Sequence, residues 1–213
     1  MVSEKKKMLL LLLLFIISTA ATSETYDIKP NLAIIDSIVS EIMHSQFQKI
    51  GNDNGDSLAI DIANLGIDKE NYLRVIIGNL ALEKSFKVIR NYNPSSSFQG
   101  LVLTVDRFDV DIEYSKPYEK SLLGNSYVRR QITTKMRGQL YSKRSKLVLS
   151  GIDKNTKSID EIPYSDITRI EDKTYNFSHG VRTDYTFWDK VFEPVIIVSA
   201  VTIIIYLFYS QRT

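Results

Sequence analysis

The chain has 213 residues, 27 Lys+Arg against 25 Asp+Glu, a formal net charge of +2, one Trp and no Cys. That length holds one domain with attachments, and a composition 44% apolar and 24% charged excludes wholesale disorder. Without cysteine there is no disulfide scaffold, thiolate metal site, thiol nucleophile, haem attachment or lipoprotein acylation.

The N-terminus reads Met-Val-Ser-Glu-Lys-Lys-Lys, then runs from Met8 to Ile17 without a polar residue, then Ser-Thr-Ala-Ala-Thr-Ser. A cationic patch, a short apolar stretch and small residues are the three parts of a secretory signal, so residues 1–23 are expected to be a signal peptide, cut after Ala21 or Ser23. The alternative is an uncleaved anchor. Residues 1–23 contain three Lys and one Glu, and removing them leaves 24 basic and 24 acidic residues. The exported chain is neutral, and the case for nucleic-acid binding goes with the signal.

The elements follow in order. Leu32, Ile35, Ile38, Val39, Ile42, Met43 and Phe47 recur at helical spacing, so the pattern predicts a helix over Asn31–Ile50, stopped by Gly51 to Asp56. Ser57–Ala63 reads as a short strand. A second helix, capped by Asp68, presents Leu73, Ile76, Ile77 and Leu80, with Gly78 weakening its interior. Phe86–Arg90 is another strand. In the next one, Leu101, Leu103 and Val105 share one parity while Phe108, Val110, Ile112 and Tyr114 share the other. Such a switch of face requires an extra residue, so a β-bulge is expected near Asp106-Arg107. After a loop, Ser115–Ser126, the residues Val128, Ile132, Thr134, Met136 and Leu140 again share a parity. Lys146–Leu149 is a last short strand. Helices and an antiparallel meander in one chain indicate an α+β fold, an antiparallel or mixed sheet packed on two helices. The expected organisation is a signal peptide at 1–23, an exported domain at 24–150, a polar stalk at 151–190, a transmembrane helix at 191–209 and a cytoplasmic tail at 210–213.

The span is read from Pro194 to Tyr209, sixteen residues without a charge, at the short end of the ~17–25 a spanning helix needs. Trp188 before it and Tyr206 and Tyr209 at its far end sit where interfacial aromatic belts do. A buried strand or core helix is the competing reading. With the signal exported, the domain lies outside, in a bacterial periplasm, and the C-terminus is cytoplasmic.

Leu58-Ala-Ile-Asp-Ile62, Tyr72 to Leu82 and Phe86-Lys-Val-Ile-Arg90 resemble the small α/β periplasmic domain of TolB N-termini and curli-secretion-channel-type proteins. The resemblance covers about residues 31–91. It implies an exported assembly or docking module without an active site, and it transfers no functional residue. The chain departs from that family in lacking a lipoprotein Cys and a β-propeller.

The motif search for chemistry returns little. His44 lies opposite the apolar stripe of its helix, and His179 stands in the polar C-terminal stretch. With two His, no Cys and no HExxH spacing, a zinc site has no ligand set. No Gly-x-Ser-x-Gly elbow and no phosphate-binding glycine loop is present. Asp106, Asp109, Asp111 and Glu113 form an acidic strand. It is expected to pair with Arg129, Lys135 and Arg137 on the next strand, with Asp111 opposite Arg129. The competing reading makes Asp106–Glu113 a metal-binding or acid/base site. Tyr118, Leu122 and Leu123 in the following loop either contact a partner or the membrane surface, or fold back on the sheet. The expected function is a non-enzymatic, membrane-tethered exported module that docks or assembles an envelope protein, with no cofactor and no nucleic-acid partner. A membrane-attached enzyme or metal-binding protein on the acidic strand is the alternative.

Overall fold

The structure, a computed structural model, describes residues 28–50, 57–62, 64–89, 92–120, 125–183 and the helix 187–210. The expected signal peptide and residues 211–213 of the expected cytoplasmic tail fall outside these residues, while Ser210 ends the last helix. The elements are α1 (Asn31–Ile50), β1 (Ser57–Ile62), α2 (Ile67–Glu83), β2 (Lys87–Ile89), β3 (Leu101–Tyr114), β4 (Tyr118–Glu119), β5 (Ser126–Ser142), β6 (Leu147–Pro163), α3 (Ile167–Ile170), β7 (Val181–Arg182) and α4 (Phe187–Ser210). One mixed sheet of seven strands holds them together. β1 lies parallel to both β2 and β3, while β3, β5 and β6 are antiparallel. The parallel half is where the expected antiparallel meander gives way, because α2 carries the chain back across the sheet between β1 and β2.

α1 buries Ile35, Ile38, Val39, Ile42, Met43 and Phe47, each stabilising the fold by about 1.5–3 kcal/mol if fully transferred from water. Their partners are Leu58, Ile60 and Ile62 of β1, the inward residues of β3, and Val128, Ile132, Met136 and Leu140 of β5. α2 starts one residue before its expected cap. Gly66, at φ +87°, makes the entry, and Glu70 reaches back to accept the Leu65 N–H at 3.2 Å.

The bulge falls where the parity switch demands it, between Val105 and Arg107. Gly138 lies opposite, with its Cα so close to β3 that a Cβ would stand 2.1 Å from the Thr104 carbonyl oxygen. The expected Ser115–Ser126 loop contains a short strand, β4. Pro117 interrupts the ladder for want of an N–H, but β4 resumes pairing with Tyr118 opposite Tyr127. The β3–β5 register lies four residues from the expected one: Asp111 faces Thr133 rather than Arg129, and Ile112 faces Ile132.

The expected stalk is also corrected. β6 runs through residues 147–163 and pairs along the length of β5. Its polarity reflects an edge strand with one solvated face, a common protection against edge-to-edge pairing. Ile162, Ile167 and Ile170 are buried. Tyr175 and Phe177 pack on Tyr72 of α2, with ring centroids 5.5 and 5.1 Å away. The folded domain therefore extends to Thr183, whose hydroxyl donates to the Tyr114 carbonyl at 3.2 Å.

α4 is 24 residues long. Its described side chains, at 195–204 and 206–207, are all exposed. Among the described residues no helix is long and apolar enough to cross a membrane.

Candidate functional site

The helices cover one face of the sheet, and across β3, β5 and β6 the other face carries charge. Cross-strand rows run Arg107–Arg137–Asp153, Asp109–Lys135–Asn155, Asp111–Thr133–Lys157 and Glu113–Gln131–Ile159. Alternation puts these residues on one side because their neighbours Phe108, Ile112, Ile132 and Met136 are in the core. Asp111 thus meets Thr133, not Arg129, which the slid register carries to Glu161.

Pairing on this face is local. Arg107 Nε donates to Asp109 Oδ2 at 2.6 Å, and Lys69 Nζ stands 3.7 Å from Asp109 Oδ1. The Arg107 hydrogen bond holds the Asp109 carboxyl below the ordinary carboxylate range against the opposing effect of burial, with the charges of Arg107, Lys69 and Lys135 adding to it. The bulge residue Asp106 accepts from Arg137 Nε at 3.1 Å. A general acid needs its carboxyl pushed the other way. Exposed pairs of this kind contribute about 0–1 kcal/mol each, so the face is better described as a neutral polar surface than as a stabilising network. Among the described residues no three His, Asp or Glu side chains gather in a way that could hold a metal ion.

A cleft of about 440 Å³ lies where β7 joins β3, lined by Asp111, Glu113, Arg129, Gln131, His179 and Thr183 among others. His179 Nδ1 is 3.9 Å from Glu171 Oε2. Glu171 is itself committed, accepting from the Gly180 N–H at 3.1 Å and from Arg182 Nη2 at 3.0 Å. The cleft offers mixed donors and acceptors. Among its described residues no nucleophile sits within hydrogen-bond reach of a base.

Tyr118 is half-buried on β4. Its phenol lies against Glu161, and burial, then the Glu161 contact, pushes its pKa up. Lys120 binds the same carboxylate at 2.7 Å and stands 4.4 Å over the Tyr127 ring. Lys120 first and Tyr118 second hold the Glu161 carboxyl down. Leu122 and Leu123 lie outside the described residues. Tyr206 is exposed on α4, and the side chains of Trp188 and Tyr209 are outside the described set. His44 is half-exposed on α1.

The strongest polar constellation went unnoticed in the sequence. Arg130 is fully buried. Its Nε and Nη2 grip Asp160 in a bidentate pair, and its Nη1 donates to the Lys29 carbonyl and to Asn31 Oδ1, both at 2.8 Å. Asn31 Nδ2 in turn donates to the Tyr114 hydroxyl and to the Ser178 carbonyl, both at 2.8 Å. The knot ties the start of α1 to β3, β5, β6 and the 171–183 segment. The signal was present: the alternation that turns Val128 and Ile132 inward turns Arg130 inward too.

No protein-family model matches the chain, and no curated protein matches it in sequence. Among solved structures it is similar to a minor lipoprotein from Acinetobacter baumannii, at 15% identity and TM-score 0.30, covering 51% of this chain and 66% of that one. It is also similar to a homolog of a neuraminyllactose-binding hemagglutinin from Helicobacter pylori, at 17% identity and TM-score 0.33, with the same coverage. The chain thus spans just under two thirds of the length of either structure. Likeness of this size carries no argument about what the chain does.

Proposed function

We propose that the protein is a non-enzymatic, membrane-tethered exported module that docks an envelope partner. The observation carrying the reading is α4. Val195, Ile196, Ile197, Val198, Val201, Ile203 and Ile204 are each at least half exposed to solvent. Apart from Ser199 and Thr202, the described side chains of α4 are apolar or aromatic, and such a surface has no place in water unless something apolar surrounds it. The sixteen uncharged residues from Pro194 to Tyr209 and the signal-like N-terminus add support from sequence, and together they orient the domain outward. The non-enzymatic part is supported by the acidic strand, where Asp109 is paired with Arg107 and Asp106 with Arg137.

Fractionation of bacteria expressing the full chain tests the tether. The protein should stay with the membrane pellet through carbonate washing, and its domain should be cleaved by protease added after the outer membrane is opened but not to intact spheroplast interiors. Release by carbonate, or protection of the domain, overturns the reading.

A further inference from the structure

The two segments that leave the domain toward its apolar ends do so from one pole. Asn31 at the head of α1 donates to the Tyr114 hydroxyl, and Thr183, just ahead of α4, donates to the Tyr114 carbonyl. Tyr114 is the last residue of β3. The first, Leu101, pairs with Ser142 at the far end of β5. Fourteen residues of strand separate these ends by about 43 Å at ~3.3 Å per residue. The tip of the β5–β6 hairpin therefore stands at the pole opposite the tether.

That tip has an unusual composition. From Ser142 to Ser150 it reads Ser-Lys-Arg-Ser-Lys-Leu-Val-Leu-Ser, with three cations and no carboxylate. Lys146 makes the turn at φ +58°. Leu147, Val148 and Leu149 follow, exposed by 62%, 60% and 45%. All three are exposed despite alternation because Leu149 is the extra residue of a second bulge: Leu140 faces Ser150 and Tyr141 faces Val148. Lys143 braces the tip, donating to the Pro94 and Ser96 carbonyls at 2.6 and 2.9 Å, and its charge remains at the surface. Cations flanking exposed aliphatic side chains match the chemistry of an anionic bilayer surface. The ammonium and guanidinium groups meet phosphates while the aliphatic groups enter the acyl boundary. An acidic protein or nucleic acid would use the cations and leave three adjacent aliphatic side chains without a partner.

We propose that residues 143–149 dock on an anionic phospholipid bilayer lying beyond the domain, so that the tethered protein bridges from its own membrane to a second surface. The bridge rests on the tether proposed above, whereas the lipid affinity of the tip does not. The test uses the full chain reconstituted in phosphatidylcholine nanodiscs and floated with vesicles of phosphatidylcholine, with or without phosphatidylglycerol. Discs should be captured by the phosphatidylglycerol vesicles alone, and capture should weaken as salt rises. The variant K143S/R144S/K146S should bind on the order of a hundredfold more weakly, given the effect of each cation near such a surface. Because Lys143 also braces a loop, R144E, which replaces an exposed residue, serves as the second variant and should lose capture with an unchanged thermal melt. L147S/V148S should reduce capture that persists at high salt. Capture of both vesicle types alike, capture of neither, or full capture by R144E overturns the proposal. Binding that requires an added acidic protein or nucleic acid overturns it in favour of that partner. If the chain fails to stay in the nanodisc, the tether reading falls, and float-up of the released protein with and without R144E still decides the tip.

Discussion

The Arg130 knot makes a prediction in which the ordering of variants matters more than any single value. Arg130 is 0% exposed at its side chain while its partner Asp160 is 41% exposed. Replacing Asp160 with Ala strands a guanidinium in the interior with only the Lys29 and Asn31 oxygens as acceptors. Removing one partner of a buried pair costs about 3–5 kcal/mol, and the water available at the Asp160 position places this case near the lower end, about 3 kcal/mol. Replacing Arg130 with Met leaves Asp160 free to turn to solvent. What remains unsatisfied is the Asn31 amide oxygen and one backbone carbonyl, about 1–3 kcal/mol, offset in part by the buried Met. Asp160→Ala should therefore be the more damaging single change, and the double variant should be more stable than Asp160→Ala alone. Urea unfolding of the full chain in detergent micelles, followed by circular dichroism, reads this directly. With m near 1–3 kcal/mol/M, Asp160→Ala should lower the midpoint by roughly 1–3 M. Hydrogen exchange at the first turn of α1 should rise in both single variants, because Asn31 loses its orientation. Equal midpoints for the two singles, or a double variant below both, would refute the reasoning.

Three further outcomes are expected. Asp36 accepts from the Tyr72 hydroxyl at 2.8 Å, yet burial first and Asp172 after it raise its pKa above the usual carboxylate range. The native state then holds that proton more tightly than the unfolded chain. The associated stability is complete below the ordinary carboxylate range and is lost as pH rises through the raised value. Asp36→Asn keeps an acceptor for Tyr72 and should be more stable than the parent at neutral pH, with the gap closing in acid melts. Gly138→Ala drives a methyl into the Thr104 carbonyl and should cost about 1–3 kcal/mol. Gly151→Ala on β6, which meets nothing within 4 Å, should lie within about 0.5 kcal/mol of the parent in the same melts. Arg74 caps the part of the β1 edge beyond β2, donating to the Ile60 and Ile62 carbonyls at 3.1 and 2.9 Å. Arg74→Leu should expose that edge and produce concentration-dependent association in light scattering, and a strictly unchanged particle size would dismiss the capping role.

What was legible from residues alone was whatever depends on short-range periodicity. The bounds of α1, the inward set of β5 and the bulge near Asp106 each follow from counting parity or helical spacing within one element. What failed depended on contacts between elements. The β3–β5 register needs the length of the turn, and Pro117 looked like the start of a loop when it marks only a gap before β4. β6 looked like a stalk because an edge strand with one wet face has few apolar residues to count. Its inward Asp160 looked like one more polar residue until the register set it opposite Arg130. The acidic strand drew attention by sheer number of carboxylates, yet its members are exposed and locally paired, whereas the single cation at an inward position anchors four segments.

The absence of cysteine gives that contrast a physical consequence. A domain without disulfides must resist fraying through contacts alone, and fraying is worst where the chain enters and leaves. Both ends of this domain are held at Tyr114, one through Asn31 and the other through Thr183. Arg130 fixes Asn31 from below with a pair that only a folded sheet can form. The desolvation of a full charge is tolerated at this pole because its alternative is an unpinned helix start. At the opposite pole Arg144 and Lys146 stand exposed beside aliphatic side chains, while Lys143 braces the loop at 94–96. One class of charge specifies the structure and the other is available for binding, and burial distinguishes them where composition does not.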